Sequence, residues 1–153
     1  LDLARTLGVR RVLETHGHWD HIQAVPELRD AGYSVGVTAQ DAAMLDSYDE
    51  IIEHDAVIEV GRLRLRTIHT PGHTPVHVVF YNRADRIAVV GDVLFQGSIG
   101  RTDFPRGDYD TLISTIREKL WPLGNDVTFI PGHGPLSTFG EERESNPFVG
   151  DFV

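Results

Sequence analysis

Three histidines and one aspartate within six residues, at positions 16 to 21, constrain this chain more than any other feature. The stretch reads His-Gly-His-Trp-Asp-His, so any fold must bring four metal-binding side chains close together. Imidazole and carboxylate groups suit zinc, iron or manganese. The alternative, a polar surface loop with incidental histidines, is disfavoured by the density of the cluster. We therefore predict a metal site at His16, His18, Asp20 and His21.

The composition narrows the class of protein. A length of 153 residues, with 41% hydrophobic and 24% charged residues, is typical of one soluble globular domain, which we place at residues 1–153. A net charge of −9 argues against nucleic-acid binding, and no apolar run is long enough to span a membrane. The chain has no cysteine, which excludes disulfides and thiolate ligands. These features favour a cytoplasmic protein; they do not predict its oligomeric state.

The pattern of apolar residues predicts a mixture of helices and strands. Strict alternation over residues 62–68 predicts a half-buried strand with its arginines facing water. Residues 76–81 and 86–90 are predicted to form a hairpin. Residues 92–107 are predicted to be a long functional loop, and residues 47–55 an irregular connection. Further helices are predicted at 21–31, 38–45, 109–120 and 138–145, and further strands at 33–37 and 127–130.

One arrangement recurs four times: a strand, a turn often built from glycine or proline, and then a histidine or aspartate. A single histidine in a turn is more often structural, but four such turns in one chain favour a shared site. Loops at strand ends hold ligands on a rigid scaffold, and glycine lets the backbone pass close to them. The four turns lead to His16, His73, Asp92 and His133.

Two longer stretches carry a family resemblance. One runs from Gly91 through Gly-Arg-Thr-Asp-Phe-Pro-Arg-Gly at positions 100–107 to Asp108, and the other is Phe-Ile-Pro-Gly-His-Gly-Pro-Leu-Ser-Thr at 129–138. With the histidine cluster, they resemble the metallo-β-lactamase-fold hydrolases, in particular the small bacterial glyoxalase II-like branch, of hydroxyacylglutathione hydrolase type. The resemblance implies an α/β (α+β) fold, a four-layer αββα sandwich. It also implies strands ahead of Leu1, so we expect the sequence to lack the first strands of the fold.

The resemblance implies two divalent metal ions, zinc first, with iron or manganese as alternatives. Asp92 would bridge the two ions, and each ion would keep room for water. The first ion would be bound by His16, His18 and His73, and the second by Asp20, His21 and His133.

The implied reaction is hydrolysis of a small-molecule thioester of the S-2-hydroxyacyl-thiol class, similar to S-lactoylglutathione. Such activity belongs to methylglyoxal detoxification. A hydroxide bridging the metals would attack the carbonyl carbon, and Asp20 would orient it as well as bind metal. No nucleic-acid or membrane partner is expected.

Four further residues are weaker candidates. Arg101 stands where related enzymes have a basic residue that contacts the thiol cofactor, with a surface arginine as the equal alternative. Arg143 and Asn146 are candidates for substrate binding, although fastening of the C-terminal segment is the favoured interpretation. His77 is a candidate for orienting a metal ligand, because it lies in a strand near His73.

Several alternatives stay open. One is a persulfide dioxygenase-type enzyme with a single iron, and another is an inactive or incomplete metal-binding fragment of this fold. A lactonase or β-lactamase-like hydrolase and an RNA-processing nuclease are less favoured. The sequence also departs from the family at Val76, where a glycine is usual. Because a β-branched residue rarely adopts positive φ, we expect a local adjustment of that turn.

Overall fold

The computed structural model describes residues 1–153 and separates into two compact units, Leu1–Glu53 and His54–Val153. Each unit has its own sheet and its own apolar core. The mixture of helices and strands confirms the predicted α/β class. The single domain over 1–153 stays a prediction. None of the helices has the length and apolar character needed to cross a bilayer.

The first unit is built around a three-stranded parallel sheet in the order β1-β2-β3. Its central strand is rich in valine, and Val35 and Val37 are fully buried. The predicted helix at 21–31 is two helices instead of one. Pro26 lies in the first turn of the second, where its missing N–H is tolerated. The elements are α1 (Asp2–Thr6), β1 (Arg11–Leu13), α2 (Trp19–Ile22), α3 (Val25–Asp30), β2 (Ser34–Val37), a 3₁₀ turn (Asp41–Met44) and β3 (Glu50–Ile51).

Two further predictions for the first unit were wrong in detail. The helix expected at 38–45 is only the short 3₁₀ turn, because Thr38 bonds the side chain of Asp41 at 2.8 Å rather than capping a longer helix. The connection expected to be irregular contains β3, which pairs with the end of β2. Two residues of strand carry too little periodicity to be recognised from sequence.

The second unit contains a six-stranded sheet in the order β11-β10-β7-β6-β5-β4. The strand with alternating arginines and the 76–90 hairpin are both confirmed, the latter as antiparallel pairing of β6 with β7. β10 is parallel to β7, so the two strands end at the same edge of the sheet. The sheet strands are β4 (Val57–Val60), β5 (Leu63–His69), β6 (Val78–Asn82), β7 (Ile87–Gly91), β10 (Thr128–Pro131) and β11 (Ser137–Thr138).

Helices pack an apolar face onto this sheet. The predicted helix at 109–120 begins as α4 (Tyr109–Thr115) and continues as a π-helix (Ile116–Leu120), with Leu112, Ile116 and Leu120 fully buried. α5 (Phe139–Ser145) starts with a capping box between Thr138 and Glu141. The predicted loop at 92–107 contains an unexpected small hairpin, β8 (Leu94–Phe95) with β9 (Ser98–Ile99).

The turn around Val76 shows no strain. Its φ is not positive, and its side chain is buried with 5% exposure. The local adjustment expected from the sequence is therefore unnecessary, since valine adopts this backbone conformation without penalty.

Candidate metal centre

The histidine cluster of the first unit follows β1 directly. His18 has extended backbone angles at the start of α2, so Asp20 and His21 lie in the first turn of that helix. A helix of four residues is too short to form without support. Its support is Ile22, which is 5% exposed in the core of this unit. The core therefore anchors the segment that carries the cluster.

His16 is the fully buried member of the cluster. Its Nδ1 lies 3.0 Å from Thr15 Oγ1, so a metal would be bound through Nε2. The His16 ring lies 4.9 Å from that of His18 and 4.1 Å from that of His21, measured between ring centroids. The three imidazoles are therefore close enough for their nitrogens to bind neighbouring metal ions.

Within the first unit the donor atoms form two pairs. Those of His16 and His18 lie within 4.8 Å of one another, and so do those of Asp20 and His21. Asp20 Oδ2 is 3.6 Å from His21 Nε2, and the Asp20 side chain is 55% exposed. This grouping is the one expected if two ions share the cluster, and the division itself stays a prediction.

Gly17 allows the cluster to pass close to the 3₁₀ turn. A Cβ at this position would lie 2.9 Å from the Cβ of Asp41, closer than side chains normally approach.

Nearby, burial raises the pKa of Glu14 to about 7, although the charge of His21 lowers it in part.

The three predicted ligands of the second unit each follow a strand of its sheet. His73 lies in the turn after β5, Asp92 follows β7, and His133 follows β10. β7 and β10 are parallel neighbours, and the Gly132 N–H donates to the Gly91 carbonyl at 2.8 Å. The parallel register therefore places Asp92 next to the turn of His133.

The donor distances around Asp92 fit a shared metal ligand. Its Oδ2 is 3.6 Å from His73 Nε2 and 3.5 Å from His133 Nε2. These separations exceed those of ordinary hydrogen bonds. Two ligand atoms held tetrahedrally at about 2.1 Å from one metal lie about 3.4 Å apart, which is close to both values. The nitrogen and oxygen donors also suit zinc, iron or manganese, so the residues present fit a divalent metal.

Backbone contacts hold these ligands in place. His73 Nδ1 donates to the Arg101 carbonyl at 2.7 Å, so the ring presents Nε2 to Asp92. The Asp92 N–H donates to His77 Nε2 at 3.1 Å, and His77 Nδ1 is 3.0 Å from Thr70 Oγ1. Because His77 is fully buried and bonded on both ring nitrogens, it holds the backbone of Asp92, a predicted ligand, in a fixed position.

Gly100 is a second positioning residue that the sequence did not reveal. A Cβ here would overlap the Asp92 carbonyl oxygen and lie 3.3 Å from His73 Cβ. Only glycine fits between these two segments. Its place within the Gly-Arg-Thr-Asp stretch was the available signal.

The side chain of Arg101 contacts residues of its own segment. Arg101 is exposed, donates two bonds of 2.7 Å to Asp103, and lies 4.0 Å from the centre of the Phe104 ring. Its hydrogen bonds lower the pKa of Asp103 to about 2. This arrangement keeps a cation on the segment that supports His73.

Arg143 and Asn146 contact the chain itself. Arg143 bonds Asp151 at 3.1 Å and Asn125 at 3.0 Å. Asn146 is buried and donates to the Ser98 carbonyl at 3.0 Å and to Glu142 at 2.8 Å. These contacts fit the fastening interpretation, and a role in substrate binding stays a prediction.

Glu142 is a buried carboxylate with three donors, and no sequence pattern assigned a role to it. Its oxygens accept from the Gly97 N–H at 2.8 Å, from Ser137 Oγ at 2.6 Å and from Asn146. The network ties α5 to the β8–β9 hairpin that follows Asp92. Burial of a carboxyl group is costly without hydrogen bonds, and these three contacts offset that cost.

Sequence comparisons identify close relatives. The profile of the metallo-beta-lactamase superfamily matches residues 6–133. The hydroxyacylglutathione hydrolase GloC of Haemophilus influenzae is 40% identical over 163 aligned residues, which cover 94% of this chain and 77% of that protein.

Solved structures agree with these relationships. The B3 metallo-beta-lactamase BLEG-1 matches with a TM-score of 0.89 and 31% identity, over 97% of this chain and 81% of that one. ETHE1 from Myxococcus xanthus matches with a TM-score of 0.85 and 26% identity, over 98% of this chain and 68% of that one. TTHA1623 in a di-iron-bound form matches with a TM-score of 0.84 and 28% identity, over 97% of this chain and 82% of that one.

Proposed function

This chain belongs to the metallo-beta-lactamase superfamily, and we propose that it hydrolyses thioesters of the S-2-hydroxyacyl-thiol class. The observation that carries the proposal is the 40% identity to a hydroxyacylglutathione hydrolase over 94% of the chain. The buried imidazole and carboxylate donors support it, because a hydrolase of this family depends on metal. The cellular role would be the removal of methylglyoxal-derived thioesters in the cytoplasm.

The ligand assignment we propose is the one implied by the sequence. His16, His18 and His73 are assigned to one ion, and Asp20, His21 and His133 to the other. Asp92 is assigned to both. Support comes from the donor pairs within the first unit and from the two Asp92 distances of 3.5 and 3.6 Å within the second.

Zinc is the metal we expect first, with iron and manganese as alternatives. Nitrogen and oxygen donors accept all three, and metal availability often decides between them. TTHA1623, which is 28% identical to this chain, has a di-iron-bound form, and this supports two ions and keeps iron as an alternative.

The chain's own residues orient and hold the reacting groups. Bound metal would supply an acidified water and polarise the thioester carbonyl. The Arg101 carbonyl fixes the tautomer and direction of the His73 ring, and His77 fixes the Asp92 backbone. Because a thiolate leaves readily, the reaction requires no strong general acid. Asp20, whose side chain is 55% exposed, would orient the nucleophile as well as bind metal.

We also propose that Arg101 contacts the thiol carrier of the substrate. Its guanidinium is exposed, Asp103 holds its Nε and Nη2, and the Phe104 ring lies against one face, so a substrate carboxylate would bind the edge that Asp103 does not use. Arg101→Gln should raise KM and leave kcat nearly unchanged. An unchanged KM would contradict this role.

The test combines elemental analysis with an activity assay on the purified protein. We expect two divalent ions per chain and hydrolysis of S-lactoylglutathione that disappears with chelator and returns with metal. Hydrolysis that persists after complete metal removal would overturn the proposal.

A second candidate is the persulfide dioxygenase-type reaction on a single iron. The structural likeness to ETHE1, at a TM-score of 0.85, fits this alternative. One iron per chain, with oxygen consumption in the presence of a persulfide and no thioester hydrolysis, would favour it over the hydrolase.

A further inference from the structure

A pocket of about 930 Å³ lies on the sheet of the second unit, and none of the predicted metal ligands lines it. No acidic residue lines it either. The whole chain has 14 lysines and arginines and a net charge of −9, so more than a third of its cationic side chains are at this one place. The five arginines are Arg62, Arg64, Arg66, Arg83 and Arg86.

The strand pattern gathers these arginines. Alternation along β5 places Arg64 and Arg66 on the same face, about 7 Å apart along the strand. Tyr81 on β6 pairs with Arg66 in the register. The turn between β6 and β7 adds Arg83 and Arg86 from the other side. The sequence alone suggested separate arginines facing water, but the sheet and the turn together form a concave surface.

The turn that carries two of the arginines is well fixed. Asn82 Oδ1 accepts from the Ala84 N–H at 3.0 Å, and Asn82 Nδ2 donates to Asp85 at 2.6 Å. Arg86 donates to Tyr81 Oη and to the Leu123 carbonyl, both at 2.6 Å, and pairs with Asp126. One wall of the pocket is therefore formed before any ligand arrives.

Three of the five guanidinium groups are not used by the fold. Arg66 pairs with Asp55 and Arg86 with Asp126, whereas Arg62, Arg64 and Arg83 are exposed and form no salt bridge. Clustered cations repel one another, and a ligand with several negative charges relieves that repulsion. Guanidinium groups bind phosphate and carboxylate in a bidentate manner.

The rest of the lining is apolar or aromatic. Val57 is 51% exposed and Leu63 is 45% exposed, and Pro122, Leu123 and the Tyr81 ring complete this side. Apolar walls with a few directed polar groups are typical of sites for small organic molecules, and the volume lies within their usual range. An inorganic anion alone would leave this apolar surface uncovered.

We propose that this pocket binds a small organic phosphate, with two or more phosphate groups attached to an apolar or aromatic body. A nucleoside diphosphate is the simplest example. The phosphates would lie against Arg62, Arg64 and Arg83, and the organic part against Leu63 and Tyr81. The proposal is independent of the hydrolase reaction, because the pocket contains none of the predicted metal ligands.

The test is calorimetric titration of the metal-loaded protein with ADP, pyrophosphate and adenosine. We expect ADP to bind more tightly than pyrophosphate, adenosine to bind undetectably, and affinity to fall as salt is raised. Arg64→Gln and Arg83→Gln should each weaken ADP binding about tenfold, since each removes a charged hydrogen-bond donor. Arg10→Gln is the matched control, because Arg10 is exposed, forms no salt bridge and lies outside the pocket. Circular dichroism checks that each variant is folded.

Two results would overturn the whole proposal, and a third would overturn one part of it. ADP binding that is absent at millimolar concentration would exclude a phosphate site. ADP binding that is equally tight in the double variant R64Q/R83Q and in R10Q would place the ligand elsewhere, for example on the metal ions. If pyrophosphate binds as tightly as ADP, the organic part of the proposal is wrong.

Discussion

The two units of this chain supply their predicted metal ligands in different ways. In the first unit four ligands share six consecutive residues, and the His16 ring contacts those of His18 and His21. In the second unit three ligands follow three different strands, and other residues hold them in place: the Arg101 carbonyl, His77 and Gly100. The first set is local in sequence, and the second depends on the register of the sheet.

This difference separates two ways of disturbing a metal centre. A local cluster keeps its internal geometry as long as its short segment folds. A dispersed set loses its geometry when a neighbouring strand or turn shifts. We therefore expect substitutions of non-ligand residues to lower metal binding more in the second unit than in the first.

The largest effect is expected for Asp92→Ala. Asp92 contacts both His73 and His133, so its loss removes the carboxylate that both imidazoles face. Thioester hydrolysis should fall by more than about 10²-fold, beyond the loss that accompanies removal of an orienting residue. Elemental analysis should show that both metal equivalents are reduced.

Two further variants are compared with Asp92→Ala. His16→Ala should reduce mainly one metal equivalent, because it is assigned to a single ion. Asp110→Asn, an exposed aspartate in the first turn of α4, serves as control and should keep both metals and full activity. Full metal content and activity in the Asp92 variant would refute the assignment.

Gly100→Ala comes next. The new methyl group would overlap the Asp92 carbonyl oxygen, so the backbone of one segment must move. We expect a loss of about 3 kcal/mol in the free energy of unfolding by urea, together with lower metal content. Gly97→Ala separates crowding from backbone strain, because Gly97 has φ +66° and no atom lies within 4 Å of the place its methyl group would take. Gly97→Ala should lower the free energy of unfolding by about 1 kcal/mol and leave metal content unchanged.

The corresponding glycine of the first unit sharpens the comparison. In Gly17→Ala the methyl group meets the side chain of Asp41 rather than a backbone atom. Because the closest approach is 2.9 Å here, against 1.8 Å at Gly100, a smaller shift relieves it, so the cost should be about 1 kcal/mol of unfolding free energy, with metal content nearly retained. Equal metal loss in Gly17→Ala and Gly100→Ala would contradict the distinction between the two units.

Thr70→Val should have a moderate effect. The hydroxyl of Thr70 contacts His77 Nδ1, and His77 Nε2 accepts from the Asp92 N–H. Replacing the hydroxyl should cost about 1 kcal/mol of stability and weaken metal binding about tenfold, measured by titration with a competing chelator. Thr128→Val, in β10, is the control, because Thr128 is part-buried and its hydroxyl takes no part in these contacts. Unaltered metal affinity in Thr70→Val would show that His77 does not position Asp92.

The local features of the fold were predictable from sequence because neighbouring residues determine them. The alternation of β5 and the start of α5 at Thr138 follow from periodicity and capping, and the structure confirms both. Three short strands could not be predicted from the sequence, for a physical reason. β3, β8 and β9 each contain two residues, so only their partners, and not their own pattern, mark them as strands.

The same reasoning applies to the site and to the arginine pocket. The histidine cluster was visible because its members are adjacent in sequence. Gly100, Thr70 and Glu142 were not, because each acts through a residue that the fold brings near from elsewhere in the chain. The alternation showed that Arg64 faces away from the core, but only the β6–β7 turn reveals that Arg83 joins it.

The smallest expected effect is a change in acid stability in Asp49→Asn. Asp49 accepts two bonds of 2.9 Å from Arg29 and one of 2.8 Å from the Val35 N–H, which ties α3 to β2. The bonds from Arg29 first, and then that from Val35, hold the pKa of Asp49 below its ordinary value. The stabilising effect is therefore complete above the pKa of the unfolded chain, about 3.9, and declines as pH falls toward the lower folded value.

In Asp49→Asn the loss of stability on acidification should therefore be shallower than in the original chain. Urea unfolding between neutral pH and pH 3 measures it, with Asp110→Asn as the control that keeps the original slope. Metal content at neutral pH should not change, because the ligands of the first unit are arranged by their own segment and not by the bond between α3 and β2. A parallel loss of metal in Asp49→Asn would show that the first unit depends on distant contacts as much as the second does.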